Sequence, residues 1–261
     1  MSLKVASLAS GSSGNAYYVE GREGAVLIDA GLTGKTILAK LEEVGGNQDK
    51  IVGIIITHEH SDHMSGAGVL QRKMGWKLWM TPGTRNYAPE RLGNFTSALV
   101  HPQKGMTVAG MDFEFIPTPH DAQEPVAVIV EADKQRCGFF TDLGHPFPGL
   151  DDHLRSLDLV FLESNYDPNL LSENQEYPAA LKKRIQGKHG HLSNCEAATL
   201  VKSLGPGRLR TVMLSHLSDK NNSPDIALAE FIAILGKHLS THCLRVDVAR
   251  RDRPSKLFHL S

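Results

Sequence analysis

Residues 51–66 read "IVGIIITHEHSDHMSG": an unbroken apolar run, then three histidines and two carboxylates within the six positions His58 to His63. β-Branched residues fill Ile51 to Ile56 almost completely, which predicts a strand buried on both faces. Core packing gives no reason to end such a strand in His58, Glu59, His60, Ser61, Asp62 and His63. Side chains two apart in an extended segment point to the same side, so His58 and His60 can converge on one metal ion. Asp62 and His63 lie where the chain turns toward the next helix, and they can face a second ion. A lone His-x-His carries little weight. The full Thr-His-x-His-x-Asp-His after a buried strand points to metal.

Outward from this loop, the first sixty residues read as strand, turn, strand, strand, helix, strand. Lys4 to Leu8 is followed by the turn "SGSSGN", then by "AYYVE" and "AVLIDAG". Thr33 can cap a helix that runs to Val44, with Ile37, Leu38, Leu41 and Val44 on one face and Gly45-Gly46 beyond it. Beyond the histidines, helices are expected around Gly66 to Met74 and over Pro82 to Phe95, with "KLWM" between them as a strand. "MTVAG", "MDFEFIPT", "VAVIVEA", "RCGFFTD" and "DLVFLE" continue as strands. Helices follow at Pro178–Ile185, Asn194–Ser203 and Pro224–Leu239, with strands at "TVMLS" and "CLRVDVA". Mixed strands between helices predict sheets in the middle with helices outside.

The 261 residues suffice for a full core in one domain, and the formal net charge of −1 at pH 7 excludes a globally basic nucleic-acid binder. Cys137, Cys195 and Cys243 form no Cys-x-x-Cys pair, so neither a disulfide framework nor a thiolate zinc site is indicated. "MSLKVASLAS" is too short and polar for a signal peptide, and no apolar run reaches the roughly 18 residues of a membrane span. The expectation is a soluble cytoplasmic protein; monomer and homodimer both stay open.

"LIDAG", "THEHSDH", "PTPHD", "FFTDLG" and "LSHLS", in that order, resemble the metallo-β-lactamase-fold hydrolase superfamily. The resemblance implies an αββα sandwich: two mixed β-sheets packed face to face with helices outside, as one domain over residues 1–261. It implies two divalent ions, Zn²⁺ or Mn²⁺ with Fe²⁺ as a third candidate, all suited to imidazole and carboxylate ligands. One ion would take His58, His60 and His120, the other Asp62, His63 and His216, with Asp142 bridging them. Asp62 could also contact the attacking water. Asp29 and Glu163 are candidates to orient the ligand imidazoles. For Asp29, a plain turn residue after a strand is an equal alternative.

"ASGSSGN", "HDAQEP", "ESNYD", "HGHLSN" and "SHLSDKNN" resemble the YycJ-type branch of small bacterial members. That branch implies a phosphodiesterase or nuclease, 5′-end-directed and exonuclease-like, using a metal-bridging hydroxide on nucleic acid or a small phosphodiester. Asp142 and His216 stand too close in sequence to admit a β-CASP insertion. The alternative within the superfamily is a thioester or lactone hydrolase of the glyoxalase II-like type. A rival from another class, a metal-binding regulatory protein without turnover, would be expected to have lost ligands.

Ser193 and Glu196 have capping-box spacing, which puts His191 two residues before a helix N-cap, near free N–H groups that attract phosphate. His191 is therefore a candidate to contact the scissile phosphate and protonate the leaving oxygen. "LKKRIQGKHGH" and the Arg245–Lys256 region are local basic stretches that could neutralise nucleic-acid phosphates or be merely solvated. The turn "SGSSGN" could cradle a phosphate or be a simple hairpin turn.

Overall fold

A computed structural model describes residues 3–88 and 90–260. The chain opens with β1 (Leu3–Ala9), β2 (Ala16–Glu20), β3 (Ala25–Ile28), α1 (Gly34–Glu43) and β4 (Ile51–Ile55). After the histidine loop come α2 (Ser61–Met64), α3 (Ala67–Met74), β5 (Lys77–Met80), α4 (Pro82–Asn86) and β6 (Ala98–Leu99). Four strands follow: β7 (Met106–Val108), β8 (Met111–Pro117), β9 (Val126–Ala132) and β10 (Gln135–Phe140). Then come α5 (Leu150–Arg155), β11 (Leu159–Glu163), α6 (Pro168–Glu173), α7 (Ala179–Ile185) and α8 (Asn194–Ser203). The last elements are β12 (Thr211–Ser215), α9 (Pro224–Leu235), α10 (His238–Thr241), β13 (Arg245–Val248) and β14 (Phe258–Leu260). Among the described residues the strands fall into two mixed sheets of seven.

One compact unit comprises Met1–Pro117, Ala122–Gln135 and Arg250–Ser261. Its seven-stranded sheet has the order β14-β1-β2-β3-β4-β5-β6. Pairing is antiparallel from β14 to β3 and parallel from β3 to β6. The parallel step from β3 to β4 needs a crossover, and α1 supplies it. Thr33 caps that helix by accepting from the Thr36 amide at 3.2 Å, Ile37 and Leu41 are buried, and Gly45 follows at φ 72°. Tyr18, Leu27, Ile54, Ile56 and Trp76 belong to the core beneath. The unit also holds the antiparallel meander β7-β8-β9.

The other unit comprises Thr118–Asp121 and Arg136–Ala249. Its strands β10, β11, β12 and β13 pair in parallel in that order. β11 is buried at every position, as a parallel strand covered on both faces must be, and Phe139 stacks on Phe161 at 5.1 Å.

Three sequence expectations need correction. The Pro82–Phe95 helix is only α4 plus a 3₁₀ turn at Glu90–Leu92; Pro89, which has no N–H to give a helix, lies outside the described residues. The helix expected over Pro224–Leu239 breaks after Leu235, where Gly236 takes φ 50°. β4 exposes Val52 at 39%, so it is not buried at every position. The short elements α5, α6 and β14 were not foreseen, β14 because it pairs with β1 from the far end of the chain. No helix among the described residues is long and apolar enough to cross a membrane.

Candidate metal centre and active site

In the first unit two parallel strands deliver a carboxylate and the histidine loop side by side. Asp29 follows β3 at φ 60°, an uncommon left-handed conformation for a residue with a side chain. Its buried carboxylate accepts from the Thr57 amide (2.9 Å), the Thr57 hydroxyl (3.0 Å) and His63 Nδ1 (2.7 Å). The Thr57 hydroxyl hydrogen is committed to Asp29, so its oxygen can accept from His58 Nδ1 at 3.0 Å. One carboxylate thus orients two imidazoles and leaves the Nε2 lone pair of each for a metal. Burial pushes the Asp29 carboxyl above its ordinary value, and the bonds from His63 and Thr57 pull it back. The His58 ring lies 4.7 Å from that of His60 and 4.1 Å from that of His63, centroid to centroid. Asp62 Oδ2 stands 3.5 Å from His63 Nε2. Gly31 lets the loops close up, because a Cβ there would fall on the Asp62 carbonyl.

In the second unit the hub is Glu163, fully buried at the end of β11. Oε1 accepts from His191 Nδ1 (2.9 Å), His216 Nδ1 (2.8 Å) and the Asp142 amide (3.2 Å). Oε2 accepts from the amides of Leu143 (2.7 Å) and Leu192 (3.1 Å). Burial alone would raise this carboxyl, but His191 and His216 outweigh it and hold the group below the usual carboxylate range. Asp142 follows β10 at φ 56° and His216 follows β12 at φ 57°. Asp142 Oδ1 lies 3.5 Å from His120 Nε2 and 3.7 Å from His191 Nδ1. His120 Nδ1 donates to the Gly190 carbonyl at 3.1 Å, and burial pushes this imidazole below its ordinary pKa. The His191 ring sits 5.2 Å from that of His120 and 5.3 Å from that of His216. Gly144 is needed where a Cβ would meet the carbonyls of Lys188 and Pro119.

The structure therefore gathers His58, His60, Asp62 and His63 in one unit, and His120, Asp142, His191 and His216 in the other. The donor set fits divalent ions. Nδ1 of His58, His63, His120 and His216 is each anchored on oxygen, so Nε2 is the atom each could offer to a metal. Asp142, Glu163, His191 and His216 can each bring one ligand atom within 4.8 Å of the others. Five N–H groups already occupy Glu163, so it holds the imidazoles in place and leaves ligation to its neighbours. Sequence reading missed Thr57 as the link between Asp29 and His58. It also missed Asn15, whose Nδ2 lies 3.1 Å from His63 Nε2.

The capping box forms as expected: Ser193 Oγ accepts from the Glu196 amide, and Glu196 Oε2 accepts from the Ser193 amide at 2.9 Å. The expected open anion site does not. The Leu192 amide serves Glu163, the Asn194 amide serves the Tyr166 carbonyl, and the Glu196 carboxylate brings negative charge to that end. His191, with a side chain 20% exposed, is held by Glu163 and not by the helix end. In the basic stretch Lys182 donates to the Ser172 carbonyl at 2.7 Å, and Arg184 pairs with Asp121 at 2.5 Å. Lys183 and Lys188 are exposed.

The family pattern of the Metallo-beta-lactamase superfamily matches residues 9–184. The chain is 35% identical over 234 residues to Exodeoxyribonuclease WalJ of Streptococcus pneumoniae, covering 86% of this chain and 85% of that protein. It is 31% identical over 230 residues to Exodeoxyribonuclease YycJ of Bacillus anthracis, covering 87% of each. The crystal structure of the metallo-β-lactamase-fold protein YhfI from Bacillus subtilis superposes with a TM-score of 0.73 at 16% identity. That match covers 99% of this chain and 100% of YhfI. At that identity YhfI speaks for the fold alone, which is the metallo-β-lactamase type with two mixed sheets and helices. With its family pattern, its relatives and its clustered histidines and carboxylates in agreement, the chain belongs to the metallo-β-lactamase superfamily.

Proposed function

We propose that this protein is a metal-dependent hydrolase of phosphodiester bonds, an exodeoxyribonuclease, formed by the whole chain as one metallo-β-lactamase-fold domain without a β-CASP insertion. The observation that carries the reading is the sharing of Glu163: one buried carboxylate holds the metal-type His216 and, beside it, the partly exposed His191. A thioester hydrolase has less use for a second imidazole there, because its thiolate leaving group needs less help from a proton. DNA as substrate rests on the similarity to the two exodeoxyribonucleases.

In this reading His58, His60 and His120 would hold one ion and Asp62, His63 and His216 the other, with Asp142 shared by both. Zn²⁺ and Mn²⁺ are the leading candidates, with Fe²⁺ behind them. Two such ions supply Lewis acidity: they lower the pKa of a water and stabilise the oxygens of an in-line displacement. The residues of the chain do the rest. Asp29 and Glu163 fix the ligand tautomers, Asp62 helps to orient the attacking water, and His191 contacts the scissile phosphate. With Nδ1–H given to Glu163, His191 can present Nε2 to the leaving oxygen and deliver a proton there. Lys183 and Lys188 meet backbone phosphates. Three cysteines that remain free thiols accord with a cytoplasmic setting.

The test is metal analysis followed by assay on single- and double-stranded DNA and RNA oligonucleotides, with and without a 5′-phosphate. Bis(p-nitrophenyl) phosphate, a thioester and a lactone are run alongside. Stepwise shortening of DNA with no thioester or lactone turnover is expected. Thioester or lactone turnover with intact DNA would replace this reading with the alternative.

A further inference from the structure

The turn between β1 and β2 ends in Asn15, a fully buried side chain that reaches the metal loop. Asn15 Oδ1 accepts from the Gly11 amide (3.0 Å) and the Ser10 hydroxyl (3.2 Å). These two donors fix which end of the carboxamide is oxygen. The NH₂ end therefore faces the Gly11 carbonyl (3.2 Å), His63 Nε2 (3.1 Å) and the Asp62 carbonyl (3.4 Å). His63 gives its Nδ1 hydrogen to Asp29, so Nε2 carries a lone pair and receives the Asn15 hydrogen.

That lone pair is the one assigned to a metal ion. A lone pair has one occupant, so the amide and the ion exclude each other. An ion on His63 Nε2 would displace the Asn15 N–H, and the turn would hold that donor within reach of whatever the ion binds. We infer that Asn15 is a substrate-contacting residue: its N–H donates to a phosphate oxygen of the substrate once His63 is occupied. A purely structural staple would not need the amide. The backbone already joins the two loops through the Asn15 amide to the Asp62 carbonyl (2.7 Å) and the Gly31 amide to the Asn15 carbonyl (2.8 Å). The inference rests on His63 being a ligand.

Asn15→Asp keeps an oxygen for Gly11 and Ser10 and replaces the donor by an acceptor. Asn15→Ala removes both. Three quantities are read: the melting temperature of the metal-free protein, its affinity for Mn²⁺, and the affinity of the metal-loaded protein for inorganic phosphate by calorimetry. Asn15→Asp sets an acceptor against the Gly11 and Asp62 carbonyls and should melt lower than wild type, yet the folded variant should bind Mn²⁺ at least as tightly. Its phosphate affinity should fall about 10- to 100-fold, the loss expected when a hydrogen bond to a charged group is removed. Asn15→Ala should also lose phosphate affinity while keeping Mn²⁺. Unchanged phosphate affinity in a fully loaded Asn15→Asp protein overturns the inference, and loss of Mn²⁺ from both variants overturns it too. His63→Ala separates the two readings. If it still binds Mn²⁺ like wild type, the ligand assignment has failed. If it loses Mn²⁺ while the Asn15 variants behave as wild type, only the role of Asn15 has.

Discussion

Asp29 and Glu163 solve the same problem in two units with different electrostatics. Each is a buried carboxylate at or just after a strand end, and each grips imidazole Nδ1 atoms so that Nε2 is left for chemistry. Asp29 grips one imidazole directly and a second through Thr57, and burial leaves its carboxyl raised. Glu163 grips two imidazoles and three backbone amides, and its carboxyl is lowered. Glu163 holds the partly exposed His191 as well as His216, whereas both imidazoles held on the Asp29 side are buried. Imidazole positioning is common to both units; in the proposed mechanism, proton supply belongs to one.

Removing the proposed bridge should have the largest effect. Asp142→Ala, and likewise His60→Ala, should lose at least one ion and nearly all turnover on DNA, while the far-UV spectrum stays native because the core does not depend on those side chains. Full activity in either variant would break the dinuclear reading.

The two carboxylates can then be set against each other. Asp29→Asn should weaken metal affinity about 10- to 100-fold, with activity returning as metal is added. Glu163→Gln confronts donors with an NH₂ group and should cost about 1–3 kcal/mol of stability or more. It should also lower activity in a way that added metal does not restore. Metal titration and thermal unfolding of both variants decide this; equal rescue by metal would erase the distinction.

Much of this candidate centre is legible in the sequence because several of the proposed ligands follow a strand that is itself a strong local pattern. "GIIITHEH", "FFTD" and "VMLSH" place His58, Asp142 and His216 at strand ends without any knowledge of the fold. Contacts between distant residues are not legible in that way. Asn15 meets His63 across 48 positions, and Glu163 meets His216 across 53. The N-terminus of α8 misled for the same reason. Its sequence shows a capping box, but the Tyr166 carbonyl and Glu163 that consume nearby donors belong to another segment. The same holds for Lys182 and Arg184, two basic residues already spoken for within their own unit.

That last point sharpens the nucleic-acid surface. Lys183→Glu with Lys188→Glu should weaken oligonucleotide binding and flatten its salt dependence. Hydrolysis of a small phosphodiester should be unchanged. Equal losses on both substrates would place the binding surface elsewhere.

The smallest expected effect lies away from the site, at Glu20. Burial would raise this carboxyl, but bonds from Lys50 (2.6 Å), Tyr18 (2.7 Å) and Lys4 (3.1 Å) win and take it down to about 2. A folded value below the unfolded one of about 4.3 stabilises the protein above that pH and is lost as pH falls toward 2. Glu20→Gln should therefore lower the urea midpoint at pH 7, and the gap from wild type should close between about pH 4.3 and 2. A gap independent of pH would assign the loss to packing.

The division of labour between the two units is tested most directly by His191→Ala, assayed on DNA and on bis(p-nitrophenyl) phosphate with metal content measured on the same samples. The variant should keep the full metal content of wild type. Its kcat on DNA, whose leaving oxygen needs a proton, should fall about 10²–10⁴-fold, while the loss on the p-nitrophenyl ester should be much smaller. Equal losses on both substrates, or loss of an ion, would show that His191 supports the metal and that the Glu163 side supplies no proton.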